Sequence, residues 1–209
     1  MKFIRVIMAS MVFATMATAC CDSNADAEKC DKNCVIENIM ARRSIRNYKP
    51  ETVDRETMKK ILECGINAPN GQNKQSWEVR VVDNPAIMEE IKAIMAAAYP
   101  EEEAKRVTGC FRGAPVMTFI ARDLSYDFSA YDCGLLAENM MLSAWSMGIG
   151  SCCLGSVIPV MLSEDAKPYY ERLQLPEDYK LLMAIAFGYP EGEIPTAPER
   201  DATKAYYVE

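Results

Sequence analysis

Ala41-Arg42-Arg43-Ser44-Ile45-Arg46 packs three guanidinium groups and a hydroxyl into five residues at the end of a short apolar-periodic segment. Arginine offers a planar fork of donors that never loses its charge, and serine adds a short donor beside it. The composition therefore suits phosphate or another delocalised anion. By itself, a charge run at a helix end is equally a solvated face. Upstream, Val35, Ile36, Ile39 and Met40 fall on one helical face and predict a short helix leading into the cluster. Downstream, Lys49-Pro50 breaks the chain. Asp54 is then a fair N-cap for a helix whose apolar positions Met58, Ile61 and Leu62 keep helical spacing up to Gly65.

The next stretch, Ala68-Pro69-Asn70-Gly71-Gln72-Asn73-Lys74-Gln75-Ser76-Trp77, carries four side-chain amides in six residues ahead of an apolar strand, Val79 to Val82. An amide is both donor and acceptor, which suits a heterocycle edge or a sugar-like chain. The alternative is a loop whose amides bond their own backbone. Pro85 to Ala98 reads as an amphipathic helix, Glu101-Glu102-Glu103 as solvated surface, and Pro115 to Ala121 as a buried strand. Ala130 to Met147 is apolar on most of its circumference, which places it mid-domain or in a subunit interface. The glycines of Gly148-Ile149-Gly150-Ser151-Cys152-Cys153-Leu154-Gly155-Ser156 let backbone approach a packed element or a flat ligand. With no phosphate-loop lysine and no preceding strand, this is neither a P-loop nor a dinucleotide fingerprint. A helix near Ser163 to Leu173 and a buried strand over Leu181 to Phe187 follow. The tail from Glu191, rich in proline and charge, is either disordered or laid along another surface.

The chain of 209 residues is 50% hydrophobic and 25% charged, enough for one sizeable core. Lys2 and Arg5 precede an apolar run from Val6 to Met16, and Ala17-Thr18-Ala19 gives a small-x-small cleavage pattern, so residues 1–19 read as an export signal. Ala17-Thr18-Ala19-Cys20 resembles a bacterial lipobox in which Cys20 becomes a lipidated N-terminus. Ordinary cleavage before Cys20 is the alternative. Residues 20–34 then form a tether to a domain over 35–209. The expected location is the periplasm or a membrane, reached only through the anchor at Cys20. Losing Lys2 and Arg5 with no acid would take the formal charge from −7 to −9, which argues against a nucleic-acid partner.

Cys64, Cys110, Cys133, Cys152 and Cys153 sit in apolar segments and read as small buried residues, while Cys30 and Cys34 could pair in the tether. There is no histidine, so a zinc site and the Ser-His or Cys-His nucleophiles are unsupported. If the protein is an enzyme, a cofactor carries the chemistry.

Taken in order, Arg42-Arg43-Ser44-Ile45-Arg46, Ala68-Pro69 with Asn73-x-Gln75-x-Trp77, Asn139 leading to Gly148-Ile149-Gly150-Ser151-Cys152, and Gly188-Tyr189-Pro190 with Arg200 resemble the nitroreductase family of FMN-dependent oxidoreductases. The resemblance spans roughly residues 35 to 203. It implies an α+β three-layer sandwich, a mostly antiparallel sheet between helices, and an intertwined homodimer with one FMN in each interface cleft. Carried over by position, Arg42 and Ser44 hold the FMN phosphate with Arg200 from the tail, and Arg43 adds backbone and neighbouring contacts. Arg46 lies near the N1/O2 side of the flavin. Asn73 and Gln75 bond the pyrimidine edge and ribityl chain, Leu154 and Gly155 pack near the ring, and Pro69-Asn70 approach from the partner. Asn70, Ser76 and Cys153 stand where the family often has Ser, Pro and Trp.

The activity implied is a two-step exchange. NAD(P)H reduces FMN and leaves, and a nitroaromatic, quinone or similar small aromatic acceptor is then reduced in the same cleft. The rivals are a flavin-dependent dehalogenase or dehydrogenase of the same fold, and an exported flavin-binding or electron-transfer module without a small-molecule substrate.

Overall fold

The computed structural model describes residues 33–208. The expected signal over 1–19 lies outside the described residues, as do Cys20, Cys30 and the tether up to residue 32. The fold is built on a four-stranded sheet of β1 (Trp77–Val82), β2 (Val116–Asp123), β3 (Gly150–Leu154) and β4 (Tyr179–Gly188), in spatial order β1-β2-β4-β3. Every neighbouring pair is antiparallel. The two central strands read as almost unbroken apolar runs because both of their faces are covered. Met117, Phe119 and Ala121 of β2 share one core with Ala184 and Ala186 of β4. Val116 and Ile120 share the opposite core with Ile185 and Phe187. A register shift between Ile120 and Ala121 leaves Leu182 as an extra residue in β4, the signature of a bulge.

Helices α1 (Cys34–Ala41), α2 (Arg55–Ile66), α3 (Pro85–Ala98), α4 (Glu101–Thr108), α5 (Ser129–Ser146), α6 (Ile158–Met161) and α7 (Lys167–Arg172) complete the chain. Met58 and Ile61 of α2 and Leu136, Met140 and Ala144 of α5 cover one face of the sheet. Met88 and Ile91 of α3, Val107 of α4, Met161 of α6 and Tyr169 of α7 cover the other. The result is the expected three-layer α+β sandwich with an antiparallel sheet. Asp54 caps α2 as expected, accepting from Thr57 N at 2.9 Å and Thr57 Oγ1 at 2.7 Å.

Three expectations need correction. The glycine-rich stretch after α5 contains strand β3, because Gly150 to Leu154 pair with β4 and only the flanking residues turn. The three glutamates from Glu101 are exposed as expected, and they also open α4, where Lys105 answers Glu101 one turn on. The expected helix near 163–173 is a 3₁₀ turn, Glu164–Ala166, followed by the short α7, with Pro168 in its first turn. Cys64 and Cys153 are exposed rather than buried. Strand alternation turns Cys153 away from the core that buries Cys152.

Helix α5 buries Leu136, Ala137, Met140 and Met141 but leaves Tyr131 and Leu135 exposed, so its apolar circumference is only partly covered within one chain.

Candidate functional site

The arginine segment is stitched to the edge of the sheet. Ser44 forms a parallel bridge with Ser151 of β3, and Ile45 N donates to Ser151 O at 2.9 Å. Farther along, Lys49 N donates to Tyr189 O at 2.9 Å, and Glu191 N to Asn47 O at 3.1 Å. Ile45 is 3% exposed and packs into the core, so alternation turns its neighbours Ser44 and Arg46 outward. Such an approach requires glycine at position 150, where an added Cβ would meet the Ile45 side chain at 2.7 and 2.9 Å. The Tyr48 hydroxyl donates to Ile45 O at 2.6 Å, and burial raises its pKa, so this donor keeps its proton.

Arg42, Arg43, Ser44, Arg46 and Arg200 line a single cleft of about 600 Å³, closed on one side by Pro195 to Pro198 of the tail. Among the described residues, no carboxylate lines it. The tail therefore lies along the arginine segment. Arg43 is committed to structure: its Nη1 donates to Met40 O and Arg42 O, each at 2.7 Å, and satisfies carbonyls at the end of α1. Arg46 Nη1 reaches Ser44 O at 3.3 Å. Arg42 Nε is buried without a hydrogen bond; Glu138 Oε1 of α5 lies 3.3 Å away, an ion pair by distance but not aligned as a donor–acceptor contact. Among the described residues, no carboxylate pairs with Arg43, Arg46 or Arg200. Gathering four guanidiniums round an acid-free cleft, in a chain of net charge −7, creates a local potential that an anion relieves.

The amide loop is strained. Gln72, Asn73 and Gln75 have φ of 54°, 54° and 50°, in the left-handed region that such residues rarely enter. Asn70 closes the loop on itself, its Oδ1 accepting from Gln75 N at 2.9 Å, whereas the side chains of Asn73 and Gln75 face solvent. Pro69 is exposed. Tyr126 packs over Gly71, leaving no room for a Cβ there, and Lys74 Nζ sits 5.1 Å from the Tyr126 ring centroid. The Leu154 side chain is 5% exposed and belongs to the core; Gly155 is exposed, with nothing near an added Cβ.

Two acidic side chains with clear roles escaped the sequence reading. Glu138 stands behind Arg42. Asp132, 2% exposed in the first turn of α5, accepts from Gly71 N and Ser76 Oγ. The one available signal was an acid within a helix otherwise apolar on that side.

The sequence profile described as the nitroreductase family matches residues 39–189. A NADPH-flavin oxidoreductase of Vibrio harveyi is 31% identical over 166 residues, covering 76% of this chain and 67% of that protein. A nitroreductase of Bacteroides fragilis with bound FMN superposes with a TM-score of 0.75 at 27% identity, covering 85% of this chain and 100% of that one. A nitroreductase of Desulfitobacterium hafniense, also with bound FMN, gives 0.75 at 31% identity over the same shares. The acid-free arginine cleft at the edge of a helix-covered antiparallel sheet thus agrees with profile, sequence and fold: this chain belongs to the nitroreductase family.

Proposed function

We propose that the protein is an FMN-dependent NAD(P)H oxidoreductase that reduces nitroaromatic, quinone or related acceptors as a homodimer. The observation that carries this reading is the cleft of Arg42, Ser44, Arg46 and Arg200, which among the described residues has no carboxylate in its lining. That donor set fits a phosphate monoester. FMN, when bound, supplies the hydride and electron chemistry that a chain without histidine lacks.

The chain's own part is to bind, orient and tune. Arg42, Ser44 and Arg200 hold the phosphate, while Arg43 fixes the end of α1. Arg46 presents a cation to the ring and favours its negatively charged reduced form. Asn73 and Gln75 offer donors and acceptors to the heterocycle edge and ribityl chain, and Gly155 admits close backbone approach. Support for the homodimer comes from apolar side chains exposed in the single chain: Ile39 and Met40 of α1 and Tyr131 and Leu135 of α5. In the dimer, Pro69 and Asn70 approach the partner's flavin. The export signal and Cys20 make the mature protein an anchored lipoprotein. Among the described residues, no helix is long and apolar enough to cross a membrane.

Steady-state NAD(P)H consumption by the FMN-loaded protein, with and without a nitroaromatic acceptor, tests the activity. Acceptor-dependent consumption is expected. Flavin bound without any turnover would favour a carrier and overturn the enzyme reading. Cys20→Ser should release the protein from membranes or block its processing; wild type found wholly in the soluble fraction would reject the anchor.

A further inference from the structure

Asp132 is the buried carboxylate on which the amide loop hangs. Its Oδ1 accepts from Gly71 N at 2.9 Å and its Oδ2 from Ser76 Oγ at 2.6 Å. Asp132 and Ser76 are 2% and 1% exposed. Both oxygens of one side chain thus fasten the two ends of the loop, with residues 72–75 strung between them. That interval contains three left-handed residues that are not glycine. It is closed further by Asn70 Oδ1 on Gln75 N and by Trp77 N on Gln75 O at 2.8 Å. Strained backbone of this kind persists only where its surroundings over-determine it. The side chains of Gln72, Asn73, Lys74 and Gln75 are all exposed, Lys74 lying over the Tyr126 ring, so Asn73 and Gln75 are open to a ligand.

We infer that Asp132 is a positioning residue for flavin: it holds the Gly71–Ser76 loop in the conformation that presents Asn73 and Gln75, so the loop is ordered before the cofactor arrives. This rests on the FMN reading above. An ordered loop spares binding the entropy of fixing these residues, so releasing it weakens affinity for the ring and ribityl chain without touching the phosphate cleft. The acid sits on α5, and the loop it restrains is 61 residues earlier at Gly71, so the restraint ties the cofactor-binding loop to the longest helix of the fold.

The test titrates apoprotein with FMN and, separately, with riboflavin, which lacks the phosphate. Asp132→Ala should weaken both ligands in parallel, by about tenfold or more. Asp132→Asn keeps an acceptor for Gly71 N and can donate to Ser76 Oγ, so it should recover part of the loss. Ser76→Ala removes one restraint, should weaken both ligands by a smaller factor, and keeps the test alive if Asp132→Ala does not fold. Amide exchange in residues 70–76 of the apoprotein should quicken in the same order. A purely structural acid would lower the melting temperature and leave both affinities unchanged in the folded protein, which overturns the inference. A change confined to FMN would do the same, because it would locate the effect at the phosphate. Wild type that binds neither flavin would overturn the FMN reading along with it.

Discussion

Arg42 and Arg200 come from opposite ends of the domain to one cleft, and each should be felt separately. Replacing either with alanine should cost about 1.5–3 kcal/mol of FMN affinity, the range for losing a charge-assisted bond. Equilibrium titration of the apoprotein measures it; unchanged affinity in both variants would remove them from the phosphate site. Arg46 is proposed to act on chemistry rather than retention. A guanidinium beside the ring stabilises the reduced anion more than the neutral oxidised form, by an amount on the order of 1–3 kcal/mol. At about 30 mV per 1.4 kcal/mol for a two-electron couple, Arg46→Ala should lower the midpoint by tens of millivolts, and Arg46→Lys by less. Equal midpoints with flavin fully bound would place Arg46 away from the ring. Buried thiols set the alkaline limit. Burial, and secondarily the Asp132 charge, pushes Cys133 up to about 12, and burial pushes Cys110 up to about 11, from an ordinary value of 9.0. A folded-state pKa above the unfolded one gives stability that is full below about 9 and is lost as pH rises through 11 and 12. The melting temperature should therefore fall over that window, and less steeply in Cys133→Ala. At this scale the sequence was most legible where chemistry is local: three arginines in five residues read as either an anion site or a solvated face, and the fold gathers them with Arg200 in one cleft. Asp132 was not legible, because the groups it holds lie 56 and 61 residues away.

Strand β3 connects the arginine segment to the sheet, and its glycine is the point of closest approach. Gly150→Ala would drive a methyl group into the Ile45 side chain and the Pro190 ring. Overpacking of that kind costs about 1–3 kcal/mol, and relief comes most easily by pushing the arginine segment off the edge. Thermal unfolding should show the loss, and FMN affinity should fall with it. An unchanged melting temperature would mean that the segment is not held there. Helix α5 offers the contrasting case: Leu136→Ala removes a side chain with 0% exposure and should cost about 2–5 kcal/mol, with flavin affinity preserved in the folded fraction. The long helices and central strands could be read in advance because burial marks them locally, as a helical period in α2 and α3 and as nearly unbroken apolar runs in β2 and β4. Strand β3 could not: it is five residues long, and its identity depends on β4, some 30 residues later. Helix α4 was hidden in the same way, its three leading glutamates reading as surface when they are both surface and first turn.

The domain of the described residues has a three-layer core and exposed apolar side chains on α1 and α5. Val35 and Ile36, with 62% and 58% exposure, join Met40 and Tyr131 at 70% and 69%. Exposure of that extent on neighbouring segments is what a second copy would cover. Sedimentation of the domain should give a dimer, and a stable monomer that retains flavin would contradict the proposed interface. The architecture was foretold by the family resemblance that the order of motifs carries, and in the fold each motif falls at a junction: the arginines at the sheet edge, the amides before β1, the glycines at β3 and the tail along the cleft. What the order could not convey is which contacts hold the junctions in place. The arginine cleft is proposed to recognise the phosphate of FMN, and this is tested by comparing FMN with riboflavin, which lacks the phosphate, on the same apoprotein. Two charge-assisted pairs predict a preference for FMN of about a hundredfold or more, collapsing towards unity in the Arg42→Ala, Arg200→Ala double variant. Equal affinity of the wild type for the two flavins would contradict the account.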